Sequence, residues 1–158
     1  MALSTGCSFV AFDHADSKQG WDMHSDMLPQ LQQACPPVDR AISAFLDDLE
    51  QRGLSEKILL VITSEFGRSP NINGAAGREH WAPLCTLALA GGGLKMGQVV
   101  GASTAKAEAP KTQPIHPEDL MATIFHVLGI DAQQQFVDSS GRPQYLLPEG
   151  AKPIAELI

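Results

Sequence analysis

Residues 58–81 read ILLVITSEFGRSPNINGAAGREHW, and how this stretch is interpreted decides the fold expected for the whole chain. Its first six residues are almost entirely apolar and β-branched, which predicts a strand over 58–63 covered on both faces. SEFGRSP follows, then an Asn/Gly/Ala-rich loop over 71–77, then GREHW. Glu65, Arg68, Arg78, Glu79 and His80 are thereby placed just past a strand end, where open α/β sheets keep their sites. An earlier segment, GWDMH at 20–24, adds Asp22 and His24. If it is extended, residues two apart project from one side, so Asp22 and His24 share a face while Met23 points away.

Outward from this centre, the apolar spacing predicts the remaining elements. Residues 8–12 (SFVAF) have the length of a short strand, and 13–20 read as a loop. A helical turn over about 26–34 is expected to stop at Pro36-Pro37, with a new helix starting near Pro37. Val38, Ala41, Ile42, Phe45, Leu46 and Leu49 form its apolar face, and Gly53 ends it. Strand, helix, strand in that order predicts a parallel sheet with a crossover. Further strands are expected over 84–90 and 98–101, separated by a turn at Gly91-Gly92-Gly93. A second helix opens at Pro117 with Glu118 and Asp119 in its first turn, buries Leu120, Met121, Ile124, Phe125 and Leu128, and stops at Gly129.

Composition narrows the function classes. The chain has 158 residues, the length of one domain, with 44% apolar and 18% charged residues. A net charge of −7 and the lack of any basic stripe argue against nucleic acid as a partner. No apolar run approaches bilayer length, which argues against a membrane span. The N-terminus MALSTGCSF lacks the pattern of an export signal. Three widely spaced cysteines favour idle thiols over a disulfide framework or a zinc ribbon. P-loop, GxGxxG, GxSxG and HExxH signatures are absent.

Asp22, His24, Glu65 and His80 have the donor chemistry of a divalent-metal site: imidazole and carboxylate groups suited to zinc, manganese or iron. The plainer alternative has Asp22 capping a turn, His24 at the surface and Glu65 paired with Arg68 or Arg78. Arg68 and Arg78 suit bidentate capture of an oxyanion, or equally structural pairing with Glu65 and Glu79. His14, His116 and His126 are given no site role, His116 being a helix-entrance residue.

In order along the chain stand GWDMH, a helix ending DDLEQRGL, ILLVITSEFGRSP, GREHW, LALAGGGLKMGQVVGAS and HPEDLMATIFHVLGID. Together they resemble an uncharacterised family of sulfatase-like proteins in the alkaline phosphatase superfamily, catalogued as a domain of unknown function. That family's motifs are GWDTH, EFGR-[ST]-P, GRDHW, a glycine-rich AGGG turn and a late DL-x-AT helix. The resemblance implies a three-layer α/β/α fold with a mostly parallel sheet, alkaline-phosphatase-like and truncated, as a single partial domain over 1–158. Asp22 and His24 match one Asp/His ligand pair, and His80 matches the late histidine completing that site. Glu65 stands where the superfamily has the Asp of an Asp-His pair, so it is a ligand or a base, while Phe66 replaces the histidine. Met23 stands for the usual Thr, and Glu79 for the usual Asp, lengthening a possible outer contact.

The expected function is thus the metal-binding domain of a sulfatase- or phosphatase-like hydrolase acting on small anionic esters, with zinc the first choice of metal. Glu65, Arg68 and Arg78 would serve catalysis. The superfamily's nucleophile belongs to an N-terminal part without a counterpart here, so the chain is expected to be inactive alone. The alternative is a degenerate binding or structural domain without metal. A truncated sheet leaves an open edge that favours self-association. Longer family members often carry twin-arginine export signals.

Overall fold

The computed structural model of the chain describes residues 6–14 and 20–158. The loop read over 13–20 and the N-terminal stretch therefore lie partly outside the described residues. A long helix α1 (Met27–Gln51) is followed by strands β1 (Leu59–Ile62), β2 (Gly67–Arg68), β3 (His80–Trp81) and β4 (Ala88–Gly91). Helix α2 (Pro117–Leu128), strands β5 (Gln135–Val137) and β6 (Pro143–Tyr145) and a 3-10 turn (Ala155–Leu157) complete the described elements. The strands form three separate two-stranded sheets, β1–β4, β2–β3 and β5–β6. All three are antiparallel.

This architecture overturns the three-layer α/β/α expectation. A parallel crossover needs a first strand before α1, and residues 8–12 form none; Phe9, Val10 and Phe12 are exposed. β1 takes its partner from later in the chain instead, with Leu59 opposite Gly91 and Ile62 opposite Ala88. Nor is β1 covered on both faces: its first three residues are half-buried and Ile62 is 38% exposed. An all-apolar run is equally compatible with a two-stranded ribbon whose partner arrives from downstream, and local pattern does not distinguish the two. Residues 98–101 form no strand either.

Helix α1 also departs from expectation. It runs through Pro36 and Pro37 rather than restarting there. One apolar stripe runs across both prolines: Met27, Leu31, Ala34, Val38, Ile42 and Leu46 are half-buried and Leu49 is buried. At its entrance the free amides of Asp26 and Met27 donate to the carbonyls of Ala75 and Ala76, both at 3.0 Å. The helix start is thereby tied to the 71–77 loop rather than capped by its own side chains.

The turn after α1 is closed by glycine. Gly91 has φ +81°, and a Cβ there would strike the carbonyls of Ser55 and Ile58. Gly92 and Gly93 share the left-handed conformation, so AGGG is a turn that only glycine makes easily. Beyond it, Leu94 joins Ile154 and Leu157 in the buried core, with Leu59, Leu89, Val100 and Val127 packed around them. Helix α2 begins and ends as its sequence signals say: the His116 amide donates to Asp119 Oδ2 at 3.0 Å, and Gly129 closes it with φ +69°. Its buried face, however, centres on Ala122 and Thr123, while Met121 and Leu128 are exposed. The C-terminal segment decides this rotation. The Ile154 amide donates to Thr123 Oγ1 at 2.9 Å, so α2 turns its small residues toward the strap of chain that covers it.

Candidate metal centre

Three local devices bring the two motif segments together. First, β2 and β3 pair with Arg68 directly opposite His80, so both side chains stand on one face of the hairpin. Second, Met23 is 4% exposed and anchors the 20–24 segment, its carbonyl accepting from the Arg78 amide at 3.1 Å. With Met23 turned inward, Asp22 and His24 project outward toward His80. Third, Gly77 is buried against the backbone of His24 and Ser25, and a Cβ there would overlap the His24 carbonyl.

The result is a compact triangle of donor atoms. Asp22 Oδ1 lies 2.7 Å from His80 Nε2 and 3.1 Å from His24 Nε2, and the two Nε2 atoms are 3.2 Å apart. One face of a tetrahedral zinc site with ligand bonds near 2.0–2.1 Å has edges of about 3.3 Å. The triangle is a few tenths of an ångström tighter than that, and it opens to solvent. The three side chains are 54%, 42% and 48% exposed for Asp22, His24 and His80 respectively.

Around the triangle stands a second layer of contacts. His24 Nδ1 is 2.8 Å from Glu79 Oε2, and Glu79 Oε1 accepts from Asn73 Nδ2 at 2.6 Å. A carboxylate accepts only, so Nδ1 of His24 carries a proton toward Glu79. The Asn73 hydrogen bond first, and His24 second, lower the Glu79 pKa below the usual glutamate value. Asp22 is held down to about 2, chiefly by hydrogen bonds from His80 and then Arg68. Arg68 Nη2 donates to Asp22 Oδ1 at 2.5 Å and to the Trp21 carbonyl at 2.9 Å, and its Nη1 reaches the Arg78 carbonyl at 3.2 Å. The Phe66 ring lies against His80 with centroids 4.2 Å apart.

Of the residues singled out in the sequence, Asp22, His24 and His80 converge, with Arg68 bound to Asp22. Arg78 sits apart, donating to the carbonyls of Ser69 and Pro70. Glu65 is exposed and, among the described residues, shares no hydrogen bond or ion pair with the cluster. Sequence reasoning missed Asn73 and Gly77, and noticed Glu79 only as a possible outer contact. NINGAAG signals a turn, and that turn chemistry hides both an asparagine that binds on all sides and a glycine needed for contact rather than for φ.

An exposed Asp-His-His cluster, His80 on an antiparallel hairpin and Asp22 and His24 on the segment beside it, backed by a carboxylate–amide pair, defines the class of site. The chain belongs to the family whose model matches residues 1–158 and is described as "Protein of unknown function (DUF1501)". No curated protein and no solved structure matches the chain. No helix among the described residues is long and apolar enough to cross a membrane.

Proposed function

We propose that Asp22, His24 and His80 bind a divalent cation, zinc first and manganese or iron next, as part of a metal-dependent hydrolase of sulfate or phosphate esters. The observation that carries the metal is the donor triangle, with edges of 2.7–3.2 Å and the Glu79 carboxylate 2.8 Å from His24 Nδ1. The hydrolase assignment rests on the order of motifs that resembles the sulfatase-like proteins. A bound divalent ion supplies Lewis-acid polarisation and charge for an oxyanion. The chain's own residues hold it: Arg68 keeps Asp22 ionised and aimed, Phe66 braces the His80 ring, and Glu79 orients His24. The nearby hydroxyls of Thr63, Ser64 and Ser69 are turned to the carbonyls of Ser64, Phe66 and Asn71, so no nucleophile is assigned to this chain.

A second reading has one specific observation in its favour. Arg68 Nη2 and His80 Nε2 both reach Asp22 Oδ1, closing a salt-bridged network that is complete without an ion. Elemental analysis separates the two. The purified chain is dialysed against zinc, manganese or iron and then against metal-free buffer, beside Asp22→Ala. Retention of about one ion per chain by the parent and none by the variant supports the metal site. Equal content in both establishes the metal-free network instead.

A further inference from the structure

Among the described residues, β1 has one strand partner, β4, and its other edge has none. No backbone group of residues 59–63 bonds outside that pairing. Strand edges are ordinarily blunted by a charge, a proline or a bulge. Residues 58–63, ILLVIT, hold no charge and no proline, and β1 pairs with β4 in unbroken register. The surface left over is also large. The chain exposes 11471 Å², where a folded chain of 16.9 kDa exposes about 7,700 Å². The surplus, roughly 3,800 Å², is several times the ~800 Å² that each partner buries in a standard stable interface.

We propose that a second copy of this chain covers the edge, β1 against β1 in antiparallel pairing about a two-fold axis at Val61. Charge decides both the occupant and the register. Lys57 and Glu65 flank the apolar run at equal distances in sequence from Val61. Both are exposed, and neither forms an ion pair among the described residues. With Val61 opposite the partner's Val61, Leu60 meets the partner's Ile62 and Lys57 meets the partner's Glu65. The axis repeats that contact, so both ends of the joined strands close on opposite charges. A slip of one residue sets Lys57 against the partner's Ser64 or the partner's Phe66 and loses both pairs. The product is a four-stranded sheet, β4–β1–β1–β4, where a lone two-stranded ribbon is marginal in water.

The test is sedimentation equilibrium of the metal-free chain over a concentration series, beside Lys57→Glu, Glu65→Lys and the double reversal. The parent is expected to dimerise. Each single reversal sets like charges together at both ends of the joined strands and should weaken the dimer about 10-fold or more. The double reversal restores opposite pairs and should return the affinity to near that of the parent. Both side chains are exposed, so circular dichroism should show every variant folded like the parent. A parent that stays monomeric or builds open-ended oligomers overturns the proposal. Single reversals that leave the dimer equally tight, or a double reversal no tighter than the singles, overturn it as well.

Discussion

Two glycines three residues apart in one loop offer the sharpest test of how the site is built. Gly77 is buried, and an added Cβ would overlap backbone atoms of His24 and Ser25; Gly74 faces open space with nothing within 4 Å. In Gly77→Ala the obstacle is backbone, not the end of a flexible side chain. The His24 backbone must retreat by on the order of 1 Å before van der Waals contact is restored. A metal site tolerates about ±0.2 Å in its ligand distances, so such a shift removes His24 Nε2 from the triangle. The loss should exceed the 10–100-fold typical of outer contacts, at least about 100-fold, or about 2.7 kcal/mol. Overpacking should also cost about 1–3 kcal/mol of stability. Gly74→Ala makes the same chemical change in the same loop and should stay within about 0.5 kcal/mol of the parent. Isothermal titration with zinc and thermal unfolding of both variants form the assay. If Gly77→Ala and Gly74→Ala bind zinc equally well, loop contact does not position His24, and the argument from close approach is wrong.

Three more outcomes are expected. Glu79→Gln should weaken zinc binding by about 10–100-fold, because one amide cannot accept from both His24 Nδ1 and Asn73 Nδ2; zinc titration checks it. Thr123→Val leaves the Ile154 amide without its acceptor in a fully buried place, at a cost of about 1–3 kcal/mol. Calorimetry should show a Tm lower by about 2–12 °C, with the Asp22–His24–His80 cluster unaffected. Asp22, depressed from 3.8 to about 2, stabilises the folded cluster above pH about 4 and loses that contribution as pH falls through about 2. Carbon-13 NMR of its carboxyl should give a midpoint near 2 in metal-free chain. In Arg68→Met the midpoint should move back toward 3.8, because one hydrogen bond to Oδ1 is gone.

By itself the sequence determined what is encoded locally. Pro117 with Asp119, Gly129, and the AGGG turn state their own structure through φ and capping, and the tertiary fold leaves them as read. The clustering of Asp22, His24 and His80 was expected from their shared donor chemistry, since only a few side chains have it. Only the tertiary structure decided pairing and rotation. The ILLVIT run reads the same whether its partner lies before or after it, and β4 claims it antiparallel. The buried face of α2 was set by Ile154 reaching Thr123, and α1 runs as a single helix through Pro36-Pro37. The site follows the same division. Arg68 and His80 meet Asp22 because a two-residue hairpin sets them opposite each other. Asn73 and Gly77 matter through contacts with His24, some fifty residues away in sequence, and no local pattern carries that information.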